Sequence, residues 1–400
     1  MGILEPPRRS LPVPGEGRAI TPRLPTLDDL DVAGKRVLVR GDLNVPLDDG
    51  RITDDFRIKA VLPTLERILE RGGTAIVCSH LGRPKGPDPK YTLAPVAAAL
   101  SAALAGDVPL AVDYDEVPDG RVVLLENVRF QPGETKNDRA FAEQLGSLAD
   151  VYVNDAFGSC HRAHASVVGI TEVLPSAAGL LLEREVENLS KLLGSPDRPY
   201  VVAIGGAKVA DKIGVVKNLL ERADKVLIGG GMCFTFIKAR GGNVGDSIVD
   251  EDAYDDVAAI ARHDKLLLPV DVVTSTSFDA DGGARVVPAD DIPDGELGMD
   301  IGPEAARAFA DEILRAKTVF WNGPMGVYEK PTFADGTRIV AEAVATTEAY
   351  TVTGGGDVSA ALKHFGLDGK VDFASTGGGA SLEFLEGKEL PGIAALTKER

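Results

Sequence analysis

The alternation of two apolar patterns along the chain is the feature that most constrains its fold. Short runs rich in valine, isoleucine and leucine are typical of buried strands. Between them apolar residues repeat at helical spacing, as at Ile58, Val61 and Leu65. This alternation favours an α/β fold in which helices cover parallel sheets. The predicted strands are residues 37–39, 74–78, 122–125, 151–153, 201–204, 226–228, 266–268, 319–321, 350–353 and 371–373.

These strands are too many for one sheet of ordinary size, and the 400 residues suffice for about two domains. We therefore expect two sheets in two domains, with a boundary near residues 180–200. A helix is predicted over 181–193, and the segment GSPDRP at 194–199 ends it. A helix in this position is a candidate hinge between the domains.

The net charge, the apolar runs and the cysteines of the chain disfavour several classes of protein. The 43 basic and 61 acidic residues give a net charge of −18, which disfavours nucleic-acid binding. No apolar run is long enough to span a membrane, and the N-terminal residues lack a signal-peptide core. The three cysteines are far apart, so we expect a cytoplasmic protein without disulfides. Residues 1–25 are rich in proline and are expected to form a loosely ordered extension.

Polar or glycine-rich segments follow nine of the predicted strands, at the sheet edge where α/β proteins bind ligands. In the first half these loops carry anion-binding side chains, which together predict a small, highly anionic ligand. Each arginine alone fits a solvated surface residue as well. Asp42 and Asn44 either orient a hydroxyl or only shape the turn before Pro46. The basic candidates are Arg40, Arg57, His80, Arg83, Arg129, His161, Arg162 and His164.

The second-half loops are rich in glycine, which lets the backbone approach a ligand, and helix N-termini attract phosphate. Lys208 and Lys212 follow Gly205 and Gly206 and are predicted to share one face of the next helix. That arrangement predicts a polyphosphate site, with a solvated lysine pair as the alternative. The chain contains neither GxxxxGK[ST] nor GxGxxG.

Two weaker signals concern metal and thiol chemistry. His161 and His164 form an HxxH pair, but no third ligand follows at metal spacing, so zinc is disfavoured. Cys160 beside His161 has the elements of a thiol nucleophile. A small buried role is the better interpretation for Cys78, Cys160 and Cys233.

In order, the chain contains RGDLNVP, SHLGRPKG, LLENVRF, VNDAFGSCHRAHAS, GGAKVADKI, GGGMCFTF, WNGPMGVYE, GGGD and STGGGASLE. These segments resemble the phosphoglycerate kinase family from about residue 26 to the C terminus. The resemblance implies two doubly wound, Rossmann-like domains joined by a hinge helix, and phosphoryl transfer from 1,3-bisphosphoglycerate to ADP, giving 3-phosphoglycerate and ATP. It assigns residues 26–190 and the returning tail 385–400 to 3-phosphoglycerate, and 191–384 to the nucleotide with Mg²⁺.

The resemblance also implies site residues. The catalytic positions would be Arg57, Lys208, Lys212, Gly356 and Gly379. The sugar acid would contact Asp42, Leu43, Asn44, Arg57, His80, Leu81, Gly82, Arg83, Arg129 and Arg162. The nucleotide would contact Gly206, Ala207, Lys208, Lys212, Gly230, Phe234, Gly298, Asn322, Pro324, Glu329, Gly355, Gly356 and Asp357, and Asp357 would help to hold the magnesium.

Two positions depart from the family pattern. Val358 follows Asp357 where many members carry a hydroxyl residue, which puts a hydrogen bond to the nucleotide in question. Leu43 stands in DLN where DFN is commoner, a change expected to affect packing only.

The chemistry needs no general base, because carboxylate and phosphate oxygens are already ionised at pH 7. Positioning and charge stabilisation then carry the transfer, and two half-sites that close around both substrates exclude water. We expect a monomer with small-molecule substrates. The alternatives are a non-catalytic nucleotide-binding protein, disfavoured by the intact Lys208 and Asp357, and a nicotinamide-dependent dehydrogenase, disfavoured by the missing GxGxxG.

Overall fold

The structure, a computed structural model, describes residues 23–279 and 283–398. Its first half forms a six-stranded sheet with helices around it and a short two-stranded sheet. The strands are β1 (Arg36–Gly41), β2 (Leu47–Asp48), β3 (Arg51–Ile52), β4 (Thr74–Cys78), β5 (Leu110–Ala111), β6 (Val122–Leu125), β7 (Val151–Asp155) and β8 (Ser176–Ala178). The helices are α1 (Phe56–Glu70), α2 (Ala94–Ala103), α3 (Arg139–Ser147) and α4 (Leu180–Leu193).

The first sheet has the strand order β5-β6-β4-β1-β7-β8, and β1 pairs in parallel with β4 and β7. Every residue of β1 after Arg36 is buried, so its sequence is an unbroken apolar run up to Arg40. Side chains of a strand alternate between faces. Val37 and Val39 therefore pack with the buried faces of α1 and α2, and Leu38 packs in a second cluster.

The second half forms another six-stranded sheet, together with a three-stranded and a two-stranded sheet. Its strands are β9 (Tyr200–Ile204), β10 (Lys225–Ile228), β11 (Asn243–Val244), β12 (Leu266–Leu267), β13 (Asp271–Ser275), β14 (Arg285–Pro288), β15 (Asp291–Ile292), β16 (Leu297–Ile301), β17 (Thr318–Asn322), β18 (Tyr350–Gly354) and β19 (Phe373–Ser375). The helices are α5 (Ile213–Leu220), α6 (Cys233–Ala239), α7 (Tyr254–Ile260), α8 (Pro303–Arg315), α9 (Asp335–Thr346), α10 (Gly356–His364), α11 (Gly379–Leu385) and α12 (Pro391–Thr397).

The second sheet has the order β12-β10-β9-β17-β18-β19 and is parallel throughout. The two-sheet α/β architecture predicted from the sequence is confirmed. The last predicted strand was placed too early, since β19 occupies Phe373–Ser375 rather than 371–373. The sequence pattern also missed the antiparallel sheet β14-β13-β16, because β14 is largely exposed and lacks a buried apolar run.

The helix α4 connects the two sheets and packs against both halves. It contacts α1, β7 and β8 on one side and α11 on the other. One apolar cluster continues from Tyr152 through Leu182 and Leu189 of α4 to Val202 in the second sheet. The core is therefore continuous across the connection.

The two ends of the described chain both pack on the first half. The backbone N–H of Gly392 in α12 donates to the carbonyl of Cys160 at 2.9 Å, so the C-terminal tail returns as expected. The carbonyl of Pro25 accepts from the N–H of Ala178 at 2.8 Å, beside the edge strand β8. Residues 1–22 of the expected extension lie outside the described residues. None of the helices within 23–279 and 283–398 has the length and apolar character needed to cross a membrane.

Asp155, at the end of β7, is a buried carboxylate that caps α4. Its Oδ1 accepts from the backbone N–H groups of Leu181 at 2.9 Å and Leu182 at 3.3 Å. Its Oδ2 is buried without a partner. Burial raises the pKa of Asp155 to about 7, although hydrogen bonds from Thr64, Leu182 and Leu181 oppose the shift. The folded state therefore holds this proton more tightly than the unfolded state does.

Asp155→Asn should make the free energy of unfolding less dependent on pH. The stability that the protonated Asp155 contributes is complete below about pH 4 and is lost as pH rises through about 7. Asparagine never ionises and keeps the Oδ1 acceptor. The variant should therefore be more stable than the parent at pH 8, by about 1–3 kcal/mol.

Urea denaturation at pH 5 and pH 8 measures this effect. Asp150→Asn is the control, because Asp150 lies just before β7 and its side chain is 46% exposed. An Asp155→Asn variant that is less stable than the parent at pH 8 would contradict the prediction.

Candidate functional site

The strand-end loops of the first sheet surround a cavity of about 380 Å³, here called the arginine cavity. Asp42 and Asn44 follow β1, His80 to Arg83 follow β4, Arg129 follows β6, and residues 158–162 follow β7. The lining residues are Asp42, Asn44, Arg57, His80, Gly82, Arg83, Arg129, Gly158, Ser159, His161, Arg162, Gly377, Gly378 and Gly379. The last three come from the second half, so both halves contribute to the cavity.

Hydrogen bonds fix three of the arginines. Arg57, in the first turn of α1, forms an ion pair with Asp42, and its Nη2 donates to the carbonyl of Thr376 at 3.1 Å. Arg129 donates through Nη1 to the carbonyl of Gly82. The Nε of Arg162 donates to Nε2 of His161 at 2.9 Å. The guanidinium groups are therefore held in place before any ligand arrives.

The cavity concentrates positive charge. Four arginines line it, whereas Asp42 is the one acidic residue in its lining. Burial lowers the pKa of Arg129 to about 10, and the charges of Arg162 and Arg40 act in the same direction. Burial, followed by the charges of nearby arginines, holds the pKa of His80 well below its ordinary value. A multivalent anion would relieve this repulsion.

Some of the predicted residues lie elsewhere. The side chains of Leu43 and Leu81 are buried in the core of the first half. These two positions can therefore offer a ligand little beyond backbone atoms. Arg40 and His164 are buried and do not belong to the lining of the cavity, although both were expected among the converging basic residues.

In the second half, three glycine-rich loops contact one another through their backbones. The N–H groups of Gly205, Gly206 and Gly230 each donate at 2.9 Å, to the carbonyls of Asn322, Pro324 and Met325 respectively. Gly230 has a φ of +63°. A Cβ on Gly230 would lie 2.5 Å from the backbone nitrogen of Gly206. Glycine is therefore required for the loops to approach so closely.

Lys208 and Lys212 both precede the next helix. The prediction that they share one face of that helix is therefore wrong. The helix α5 begins at Ile213, and the N–H groups of Lys212 and Ile213 both donate to the carbonyl of Val209 in the preceding turn. Lys212 Nζ donates to the carbonyl of Gly205 at 2.6 Å. Burial lowers the pKa of Lys212 to about 8, while Asp357 and Asp211 oppose this shift. Lys208 is exposed.

The remaining nucleotide candidates lie around these loops. Phe234 is buried against Gly298, where an added Cβ would lie 2.0 Å from the ring atom Cζ. Asn322 Nδ2 donates to the carbonyl of Gly354 at 2.7 Å. Ala207 and Glu329 are exposed, and Pro324 is partly exposed.

The GGGD segment forms the start of α10. Gly355, with a φ of +95°, precedes the helix, and Gly356 and Asp357 are exposed in its first turn. Val358 is 0% exposed and packs in the apolar cluster that contains Trp321. Its side chain therefore faces the core, so a methyl group in place of a hydroxyl suits this position.

His161, His164 and the three cysteines are the candidates for metal and thiol chemistry. Within the part of the chain that the structure describes, no three His, Cys, Asp or Glu residues form a group suited to a metal ion. All three cysteines are free and buried. Burial raises the pKa of Cys78 and of Cys160 to about 12, so neither thiol ionises readily near neutral pH.

The sequence analysis missed several residues around the cavity. Gly158 and Ser159 line it, and a Cβ on Gly158 would lie 2.3 Å from Oδ2 of Asp42. Glu134 and Glu185 are fully buried acids that hold neighbouring segments in place. Gly158 and Ser159 belong to the segment NDAFGSCHRAH, which the sequence already indicated as a ligand-binding loop. Nothing in the local sequence distinguishes the two glutamates from surface acids.

Comparisons with known proteins identify the family. A sequence model described as phosphoglycerate kinase matches residues 27–388. The chain belongs to the phosphoglycerate kinase family. A phosphoglycerate kinase from Deinococcus radiodurans is 55% identical over 92% of this chain and 94% of its own length. One from Salinispora tropica is 53% identical over 93% of this chain and 98% of its own length.

Solved structures agree with this family. The structure of phosphoglycerate kinase from Coxiella burnetii has a TM-score of 0.85 and 40% identity, covering 94% of this chain and 99% of that chain. The protein is a kinase of glycolysis that reversibly transfers a phosphoryl group between 1,3-bisphosphoglycerate and ADP, giving 3-phosphoglycerate and ATP. Neither the dehydrogenase nor the non-catalytic alternative is consistent with this membership.

Proposed function

We propose that the arginine cavity binds the sugar-acid substrate and that the glycine-rich loops of the second half bind the nucleotide. The domains would be residues 26–190 with the tail 385–400, and residues 191–384, preceded by the extension 1–25. The observation that carries this proposal is the cluster of four arginines that faces the loop Gly377–Gly379 of the second half. A phosphorylated carboxylic acid matches that charge.

Within the cavity, Arg83, Arg129 and Arg162 bind the phosphate and carboxylate oxygens as planar donors. Asp42 and Asn44 accept from the substrate hydroxyl, and Asp42 also orients Arg57. Arg57 is assigned to the transferring phosphoryl group. It contacts Thr376 of the second half and so lies at the boundary between the two halves, which supports this role. Leu43, Leu81 and Gly82 contribute backbone atoms.

The nucleotide phosphates lie against the loops that contain Gly206, Gly230 and Gly355 to Asp357. Lys212 is tied to the carbonyl of Gly205, so it is preorganised beside that path. Phe234, Gly298, Asn322, Pro324 and Glu329 are assigned to the same nucleotide site. The first-turn N–H groups of α10 and α11, near Gly356 and Gly379, point toward developing negative charge.

Magnesium fits this donor set. Mg²⁺ in phosphoryl-transfer sites is held by one or two carboxylates together with substrate phosphates, so a large cluster of protein ligands is not needed. The exposed carboxylate of Asp357, in the first turn of α10, provides such a ligand beside the proposed phosphate loops. When bound with the nucleotide, the ion neutralises phosphate charge.

The transfer itself requires alignment rather than proton removal. The carboxylate of 3-phosphoglycerate and the terminal phosphate of ATP are already anions at pH 7. Arg57, Lys208 and Lys212 offset the repulsion as they meet, and the N–H groups near Gly356 and Gly379 share the charge of the transition state.

Closure of the two halves brings these groups together. Lys208, Lys212, Gly356 and Asp357 lie outside the lining of the arginine cavity in this structure. We assign the motion to the connection over residues 181–199. We assign the enzyme to the cytoplasm as a monomer, and its free cysteines and the presence of both half-sites in one chain are compatible with this assignment.

Arg129→Ala and Arg162→Ala should each weaken 3-phosphoglycerate binding by about 1.5–3 kcal/mol, because each removes a charge-assisted hydrogen bond. Affinity for Mg-ADP should change little. Isothermal titration with each ligand measures both effects. Arg139→Ala is the control, since Arg139 is exposed on α3 and pairs along that helix with Glu143 at 2.8 Å. Loss of nucleotide binding with the sugar acid retained would reverse the assignment of the two halves.

Lys208→Ala should lower kcat on the order of 100-fold while Mg-ATP affinity falls much less, the pattern of an interaction made mainly in the transition state. A coupled assay of 3-phosphoglycerate-dependent ATP consumption gives kcat and KM. Lys217→Ala is the matched control, because Lys217 is partly exposed on α5 and pairs with Asp256 at 2.6 Å. An unchanged kcat in Lys208→Ala would remove this residue from the mechanism.

Binding of both substrates should make the molecule more compact. Each ligand alone contacts one half and should shift the open–closed equilibrium only partly. Small-angle X-ray scattering should therefore show the smallest radius of gyration with 3-phosphoglycerate and a non-hydrolysable Mg-ATP analogue together. The single-ligand samples serve as controls. A ligand-free protein as compact as the ternary complex would contradict closure.

A further inference from the structure

Arg40 ends the apolar run of β1 but lies beneath the arginine cavity. Its side chain is 0% exposed. It donates to the carbonyl of Gly41, to Ser166 Oγ at 2.9 Å and to Ser159 Oγ at 3.4 Å. A buried cation of this kind needs acceptors, and these groups together with one ring nitrogen of His80 give each of its three nitrogens at least one.

A buried anion balances Arg40 through Ser166. The hydroxyl of Ser166 donates to Oε1 of Glu134 at 2.7 Å, and its backbone N–H donates to Oε2 at 3.0 Å. Burial alone would raise the pKa of Glu134, but hydrogen bonds from His164 and Ser166 and the charge of Arg40 lower it below its ordinary value. Glu134 is therefore ionised at neutral pH, and the bridged pair stabilises Arg40 in one orientation.

The contact with His80 determines where the imidazole proton lies. Arg40 Nη2 is 3.0 Å from Nδ1 of His80. A guanidinium group carries donors only, so Nδ1 must accept and cannot carry a proton. The neutral ring then holds its proton on Nε2. Because Nδ1 faces Arg40, Nε2 is the ring nitrogen left for the cavity, which His80 lines.

The geometry points to Arg40 as a positioning residue that locks His80 in the Nε2–H tautomer, so that a neutral His80 donates a hydrogen bond to a carboxylate or phosphate oxygen of the substrate. This inference deepens the proposed function and rests on the assignment of the cavity to an anionic substrate.

The surrounding charges favour the same arrangement. His80 is buried, and the cations that act on it are Arg40, Arg129, Arg57 and Arg162. Both burial and these cations disfavour an imidazolium, which would add a further charge to a crowded cluster. A neutral donor instead supplies direction without repulsion. Substrate affinity then does not depend on protonation of His80 near neutral pH.

Nuclear magnetic resonance of ¹⁵N-histidine-labelled full-length protein tests the tautomer without ligand. His80→Gln assigns the signals. We expect Nε2 of His80 to be protonated and Nδ1 unprotonated between pH 6 and pH 8. Arg40→Lys keeps a donor-only cation and should retain this pattern. The amide of Arg40→Gln can also accept a hydrogen bond, so this variant should allow a proton on Nδ1 of His80. Arg71→Gln is the control, because Arg71 donates to the carbonyls of Leu27 and Leu30 and is not among the arginines that act on His80. A proton on Nδ1, an imidazolium at pH 7, or an unaltered tautomer in folded Arg40→Gln would overturn the inference.

Substitution of His80 provides a second measurement if Arg40→Gln does not fold. The amide nitrogen of glutamine reaches the Nε2 position, while that of asparagine is nearer to Nδ1. His80→Asn should raise KM for 3-phosphoglycerate about 10- to 100-fold above that of His80→Gln, with kcat changed less. Equal KM values would overturn the donor role of Nε2. An Nε2–H signal that does not shift when 3-phosphoglycerate is added would instead count against the assignment of the cavity, while the tautomer measurement still decides the role of Arg40.

Discussion

The buried carboxylate of Glu185 determines how the two halves meet. It belongs to α4 and is 0% exposed, and it accepts hydrogen bonds from Ser375 Oγ at 2.7 Å, Thr376 N at 2.6 Å and Thr376 Oγ1 at 2.8 Å. Burial raises the pKa of Glu185, and these hydrogen bonds oppose the shift. The segment fixed in this way presents the carbonyl of Thr376 to Arg57 and leads directly into the loop Gly377–Gly379. One side chain of the connecting helix thus holds the part of the second half that completes the arginine cavity.

Like charges can be kept together in the cavity because three of its four arginines, and the deeper Arg40, each have an acceptor nearby. Arg57 is paired with Asp42, Arg129 with the carbonyl of Gly82, and the deeper Arg40 with Glu134 through Ser166. These acceptors oppose the repulsion without neutralising the surface that faces the ligand. The lowered pKa of Arg129 shows that repulsion and burial still act there. A substrate with two anionic groups therefore gains electrostatic energy that a singly charged one does not.

The sequence was sufficient for the parts of the fold that depend on local patterns. All ten predicted buried strands occur, because fully buried parallel strands give unbroken apolar runs. The β14-β13-β16 sheet was missed because its strands are partly exposed. Lys208 and Lys212 were placed on a helix by their spacing, but spacing cannot show that a turn at Val209 delays α5. The close contacts of the glycine loops could not be predicted from local sequence either. Gly230 meets Gly206 and Pro324 only after three strands have assembled.

The two proposed half-sites differ in how firmly their cationic side chains are held by hydrogen bonds to the protein. In the first half the cations are anchored before substrate arrives, since Arg57, Arg129 and Arg162 each donate to protein atoms. In the second half Lys212 is anchored to Gly205, but Lys208 is exposed and lies before α5 begins. An anchored cation loses little entropy when it binds a ground-state anion, whereas an exposed lysine must be ordered first. In the proposed mechanism, the ordering cost of Lys208 is therefore offset only when closure brings both polyanions to it, which would couple its contribution to the transition state rather than to nucleotide binding.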